Sequence, residues 1–191
     1  MRRFVVIGSR ATASADFLLD DLPGTSGRLD VGLRCLRAAL LVSHGRRPDA
    51  VVYLLLRGGP RAPRVLRIGP DARFLRPDER SLAVLVKKVL ASRADEGAKG
   101  FVDVKPGIAT ARGDLAEVAE EFGGAALYVL EEGGPDVREA AGIGDPDVAF
   151  FVGDPSGFDE ATRAALASMG ARPLGIGPVA EIGRASCRER V

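Results

Sequence analysis

Asp20-Asp21-Leu22-Pro23-Gly24-Thr25-Ser26-Gly27-Arg28-Leu29-Asp30 runs straight into a leucine-ribbed segment, and the rest of the chain is organised around it. Proline fixes its own φ and glycine accepts positive φ, so Pro23-Gly24 reads as a tight turn. Thr25, Ser26 and Gly27 then supply capping oxygens and small volume at a helix start, where backbone N–H groups point outward at an anion. Leu29, Leu33, Leu36 and Leu40 form the apolar stripe of an amphipathic helix, and Arg28, Arg34 and Arg37 lie off that stripe. Taken as structure alone, this is a well-capped helix with Asp30 in its first turn, paired i to i+4 with Arg34. Taken as chemistry, it gathers carboxylates, hydroxyls and a guanidinium around one helix start.

Outward from that helix the apolar runs are short. Phe4-Val5-Val6-Ile7-Gly8 reads as a buried strand. Ser43-His44-Gly45 closes the helix, with the chain's single histidine in a capping position. Residues 50–56 are almost continuously apolar, as in a strand of a parallel sheet covered on both faces. Arg57, Arg61, Arg64 and Arg67 sit among glycines and prolines as an exposed basic loop running into a strand at Val65-Leu66-Arg67-Ile68, suited to phosphate contact. Pro77-Asp78-Glu79 opens a second helix that continues through Leu90. Residues 91–106 read as a mobile, irregular connection. Beyond them, strands at 107–111, 125–130 and 148–152 alternate with helices at 115–122 and 159–169. This order predicts an α/β fold, a mostly parallel sheet with helices on both faces.

The 191 residues suffice for one domain with a sizeable core and are short for two. The N-terminus does not read as a signal peptide, and no apolar run is long enough to span a bilayer. Cys35 and Cys187 give neither a disulfide framework nor metal-ligand spacing, so a cytoplasmic, metal-free protein is expected. A net charge of +1 conceals a polarity, since residues 1–113 hold 21 basic and 11 acidic side chains while residues 114–191 hold 6 and 15. A basic half can track a phosphate backbone, so an RNA partner is expected on the N-terminal part.

In parallel sheets ligands sit beyond the carboxyl ends of strands, which directs attention to Leu130, Gly153 and Gly175-Ile176-Gly177-Pro178. Gly175 to Ala180 also fits a loose GxGxxA dinucleotide pattern, but too little chain follows to complete that unit.

Together with Ser43-His44, Arg76-Pro77-Asp78-Glu79-Arg80-Ser81 and Gly153-Asp154-Pro155-Ser156-Gly157, the opening stretch closely resembles the tRNA pseudouridine N1-methyltransferases. These belong to the SPOUT superfamily of knotted, S-adenosylmethionine-dependent RNA methyltransferases, and the likeness covers most of residues 1 to about 180 in order. The resemblance implies one SPOUT-type trefoil-knot domain over residues 1–180, a homodimer, tRNA as partner and S-adenosyl-L-methionine as cofactor. It implies that Leu130, Gly153, Gly175, Ile176, Gly177, Pro178, Val179 and Ala180 hold the cofactor, and it sets Asp78 and Arg80, with a supporting His44, near the RNA. The implied reaction methylates N1 of pseudouridine 54 in the T-loop. Pseudouridine is joined to its sugar through carbon, so N1 keeps a proton that must leave once the base is flipped and held in line. Asp21 or Asp30 is the candidate base, and Arg28 the anchor for the base or a phosphate. An RNA-binding module without catalysis and a methyltransferase of ribosomal RNA pseudouridine are the rival readings.

Past Ala180 the likeness stops. The family continues into a cysteine-bearing cofactor segment and a helix tucked through the knot. Residues 181–191 have almost no apolar stripe and resemble the translation of a common sequencing adapter. They are expected to be a non-native tail in which Cys187 does not replace the family's cysteine, leaving the knot incomplete and impairing cofactor binding and dimerisation. Resequencing the locus past Ala180 tests this, and finding the same tail in the native gene refutes it.

Overall fold

Val5, Val6 and Ile7 are all buried although successive strand side chains point to opposite faces, so their strand, β1 (Arg2–Thr12), is covered on both sides. The computed structural model describes residues 1–177 apart from 44, 74, 141 and 142. After β1 come α1 (Leu22–Thr25), α2 (Leu29–Leu40), β2 (Leu41–Val42), β3 (Gly45–Arg46), β4 (Ala50–Gly58) and β5 (Arg64–Ile68). The chain continues with α3 (Glu79–Ala91), β6 (Val102–Lys105), β7 (Ile108–Arg112) and α4 (Leu115–Ala119). It closes with β8 (Ala126–Leu130), β9 (Val148–Gly153), α5 (Glu160–Ser168) and β10 (Arg172–Leu174).

The main sheet has the order β10-β8-β9-β1-β4-β5-β7-β6. Strands β10 through β4 are mutually parallel, and β5, β7 and β6 are added antiparallel. On one face Val6, Val52, Leu54, Leu56 and Leu66 meet Leu29, Leu33 and Leu36 of α2 and Leu82, Val86 and Val89 of α3. On the other, Val5, Ile7, Tyr53, Leu55 and Phe151 meet Leu115 and Val118 of α4 and Leu166 of α5. The expected α/β architecture, a mostly parallel sheet between two helical layers, is therefore present.

Four local expectations are corrected. Pro23 and Gly24 make no tight turn but lie inside α1, a single helical turn N-capped by Asp21, where proline's missing N–H does no harm. The organising stretch is therefore broken between α1 and α2. The second correction concerns the end of α2, which stops at Leu40 and gives way to an antiparallel hairpin of β2 and β3; His44 lies outside the described residues. Third, residues 91–106 are not simply irregular, because Val102 and Val104 alternate with Asp103 and Lys105 in the edge strand β6.

The fourth correction is the largest. Arg57, Arg61, Arg64 and Arg67 do not form an exposed basic loop. Arg64 is completely buried, and its guanidinium donates to both oxygens of Asp95 (2.7 and 2.8 Å) and to the Leu90 carbonyl (2.9 Å). Burial lowers its pKa, and Asp95 acts against that shift. Arg61 pairs with Glu96, Arg57 with Asp114 and Thr162, and Arg67 with Glu121. These four cations hold the fold and are not free for phosphates.

A buried pair broken from one side leaves an uncompensated charge. Asp95→Ala is therefore expected to lower urea-unfolding stability by about 3–5 kcal/mol. Arg80→Ala, which removes an exposed pair with Asp20, should leave the transition almost unmoved. Similar transitions for the two variants would contradict this account.

Candidate active site

β1 and β9 are neighbouring parallel strands, with Ile7 opposite Gly153. The helices that follow them leave toward opposite faces, α2 to one and α5 to the other. Beyond the carboxyl ends of two such strands an α/β sheet opens a crevice where ligands bind. Two segments from distant parts of the sequence enter it.

The first is the junction of α1 and α2. The Ser26 carbonyl accepts the Thr12 N–H (2.9 Å), and its hydroxyl accepts the N–H of Leu29, the first residue of α2 (3.1 Å), while the N-cap position itself is Arg28 and makes no side-chain capping bond. Gly27 has φ +64°, and a Cβ there would stand 1.8 Å from the Arg10 carbonyl oxygen, so only glycine fits. Arg28 follows at φ +72°, a conformation uncommon for a residue with a side chain. Its guanidinium then meets Asp30, with Nε donating to Oδ1 (3.0 Å) and Nη2 to Oδ2 (3.2 Å). Arg34 donates to the same carboxylate (2.5 Å). Asp30 is buried and the Arg28 side chain is 49% exposed, so one end of the ion pair is fixed while the other faces outward. The hydrogen bond and charge of Asp30 raise the Arg28 pKa. Asp21 does not join this group. It is exposed, and its carboxylate accepts the Gly24 N–H (3.2 Å) as the cap of α1.

The second segment follows β9. Asp154 is 6% exposed; its Oδ2 accepts the Ser9 N–H (2.7 Å) and its Oδ1 the Ser156 N–H (2.8 Å). Its own N–H donates to the Ile7 carbonyl (3.1 Å). Arg28 and Asp154 both line a small cavity of about 10 Å³, room for about one water, between α2 and the sheet, together with Gly8, Ala11, Val31, Gly32, Val6, Leu54 and Leu56. Sequence reasoning assigned no role to Asp154 or Ser9. The available signal was an acid immediately after a glycine that ends a buried strand, but local pattern does not reveal that the carboxylate turns back onto β1.

The three strand ends expected to hold a cofactor lie side by side, since β10, β8 and β9 are consecutive and Leu174 pairs with Leu130. Gly175 is engaged with the preceding loop. It donates to the Pro135 carbonyl and accepts the Val137 N–H (both 2.8 Å), and a Cβ on it would lie 2.5 Å from the Gly134 carbonyl oxygen. Gly175 therefore shapes a close chain crossing. Ile176 is exposed, and the space a Cβ on Gly177 would enter is open. Leu130 and Gly153 are the last residues of β8 and β9, and Ile176 and Gly177 follow β10. Pro178, Val179, Ala180, Cys187 and the whole 181–191 tail lie outside the described residues.

Asp78 N-caps α3 through the Ser81 N–H (2.7 Å), which lowers its pKa, and Arg80 holds Asp20 (2.6 Å). Arg37, Arg47, Arg73 and Arg76 are exposed and enter no ion pair among the described residues. Among those residues no cluster of three metal-ligating side chains occurs, and no helix is long and apolar enough to cross a membrane.

Residues 1–182 match the family described as "Putative SAM-dependent RNA methyltransferase". The chain is 41% identical over 181 residues to the tRNA (pseudouridine(54)-N(1))-methyltransferase of Methanosarcina mazei, covering 94% of this chain and 83% of that protein. It is 38% identical over 181 residues to the Methanopyrus kandleri protein of the same name, covering 94% and 85%. In three dimensions it is similar to Archaeoglobus fulgidus Nep1 bound to S-adenosylhomocysteine, with a TM-score of 0.64 and 17% identity across 98% of this chain and 94% of that one. At that identity the likeness concerns the fold.

The fit of Gly27 against the Arg10 carbonyl makes the junction sensitive to one methyl group. Gly27→Ala is expected to lower stability by at least the ~1–3 kcal/mol of a strained backbone residue, measured by urea unfolding. An unchanged midpoint would show that the junction relaxes freely.

Proposed function

The chain belongs to the SAM-dependent RNA methyltransferase family, and from that premise we propose that it methylates N1 of pseudouridine 54 in tRNA. The observation that carries this reading is identity of 35–41% across 93–94% of the chain to relatives named for that reaction. Bound S-adenosylmethionine supplies an electrophilic methyl group. Leu130, Gly153, Ile176 and Gly177 would hold its adenosyl part, with Gly175 fixing the loop and Pro178, Val179 and Ala180 continuing it. This reading carries with it the knotted form of the fold, a homodimer and a cytoplasmic setting.

Within this reaction Arg28 anchors the nucleotide. Its planar fork suits a phosphate or a base edge, and the ion pair with Asp30 fixes the plane of that fork before RNA arrives. Both Asp30 oxygens are already engaged by guanidinium groups, so the geometry favours a holding role for Asp30 over proton transfer. Asp21 likewise serves the chain, as a helix cap. Arg37, Arg47, Arg73 and Arg76 offer unpaired charge to the phosphate backbone.

Methyl transfer from labelled S-adenosylmethionine onto tRNA carrying pseudouridine or uridine at position 54, by a chain whose C-terminus past Ala180 has been restored, tests the reading. Label is expected in the pseudouridine transcript alone. Labelling of both transcripts, or of neither, would refute it. Asp30→Asn should lower kcat/KM by roughly 100-fold through misplacement of Arg28, with S-adenosylhomocysteine binding retained.

A further inference from the structure

Arg57, Arg61, Arg64 and Arg67 are all paired with carboxylates. A second group of arginines is not. Arg37 stands in the last turn of α2, Arg47 directly after β3, and Arg73 and Arg76 between β5 and α3. These segments are tied together, because the Arg47 N–H donates to the Leu40 carbonyl at the end of α2 (2.8 Å) and the Arg46 guanidinium donates to the Ala72 carbonyl. Across 37–49 and 69–78 the sequence holds five arginines, Arg46 included, against the three acids Asp49, Asp71 and Asp78. Asp49 is engaged by Arg2 (3.5 Å) and Asp78 by the Ser81 N–H. The dipole at a helix C-terminus accounts for Arg37. No contact among the described residues accounts for Arg47, Arg73 and Arg76 together.

The place of this surface decides what it can hold. Arg2 pairs with Ala50 and Val52 with Ile68, so α2 ends and the 69–78 segment begins at the amino ends of β1 and β4, whereas Arg28 opens α2 at the other end of the sheet. At 1.5 Å per residue, the length of α2 puts about 18 Å between the two places. A nucleotide anchored by Arg28 therefore cannot also touch Arg47 or Arg73. An RNA that meets both must span roughly five or six base-pair steps of about 3.4 Å each. A duplex does so at little conformational cost, being stiff over far greater lengths, whereas a single strand would have to be ordered along the whole way. We propose that Arg37, Arg47, Arg73 and Arg76 bind the phosphates of an RNA double helix flanking the methylated nucleotide, so that the protein reads a stem as well as a loop. The inference rests on the proposed methylation of tRNA and adds which part of the RNA the outward arginines grip. Guanidinium forks meet phosphates whatever the sequence, so this surface supplies affinity and orientation, and base choice stays at the other end of α2.

Two hairpins with the same pseudouridine-bearing loop test this, one with a stem of about three base pairs and one of about nine, on either side of the required span. The present chain serves, since the four arginines lie within residues 37–76 and the assay needs no methyl transfer. The long-stem hairpin should bind roughly 10-fold or more tightly at low salt and lose affinity faster as salt is added. In Arg47→Gln/Arg73→Gln/Arg76→Gln the long-stem advantage should vanish, and the slope of log affinity against log salt should flatten by about 2. The urea midpoint of that variant should stay close to the parent's, as for exposed side chains without partners. Equal binding of the two hairpins by the parent would overturn the proposal. So would a variant that keeps the long-stem preference and the parent's slope, or a parent that binds neither hairpin. A chain with its C-terminus restored that prefers the long stem yet transfers no methyl group would count against the proposed function and not against this surface.

Discussion

The burial of β1 on both faces is the constraint from which the active end of the molecule follows. Val5 and Ile7 need one helical layer and Val6 needs the other, at roughly 1.5–3 kcal/mol for each large apolar side chain removed from water. The chain satisfies both demands by sending α2 over one face early and α5 over the other late. Two neighbouring parallel strands whose connections diverge in this way cannot be bridged at their carboxyl ends by either connection. The divergence of the chain beyond Gly8 and Gly153 is therefore a consequence of covering the sheet, and Arg28 and Asp154 line the small cavity between α2 and the sheet beside Gly8.

What could be seen in the sequence was what local pattern controls. The leucine stripe of α2 and the apolar runs of β4, β8 and β9 announce themselves because a helix repeats near 3.6 residues and a doubly covered strand is apolar throughout. The one-turn helix α1 did not, because Pro23-Gly24 is more often a turn and only the Asp21 cap and the packing of Leu22 make it helical here. The arginines between 57 and 67 were misjudged for a different reason. Their partners Asp95, Asp114 and Glu121 lie far along the chain, and no window-sized pattern reports them. At the site, resemblance supplied the strand-end residues and singled out Arg28 and Asp30, and helix spacing gave the Asp30–Arg34 pair, while the Arg28–Asp30 pair and the orientation of Asp154 required the fold itself.

The charge polarity of the chain also acquires a second meaning. A basic N-terminal part and an acidic C-terminal part suggest RNA on one side, but several of those opposite charges are joined to each other. Arg3 pairs with Asp147, Arg57 with Asp114 and Arg67 with Glu121, each linking the two parts of the sequence. Part of the polarity is thus internal complementarity that helps bring early and late segments together. Arg37, Arg47, Arg73 and Arg76 are among the cations left outward, and they come from the end of α2, the segment after β3 and the approach to α3.

The carboxyl end of β1 also acts as a common fixture for the two sides of the cavity. The Arg10 carbonyl packs against Gly27 and so fixes where Arg28 leaves the backbone, while the Ser9 N–H holds the Asp154 carboxylate. Adjacent residues of one strand therefore set the positions of a cation and an anion whose own segments lie at opposite ends of the chain. Little side-chain freedom remains in Arg28 to be lost when a nucleotide enters, since its fork is already fixed by Asp30. The register of β1 against β9 matters more to the site than any single loop. A shift of one residue would move the Ser9 N–H away from the Asp154 carboxylate it holds.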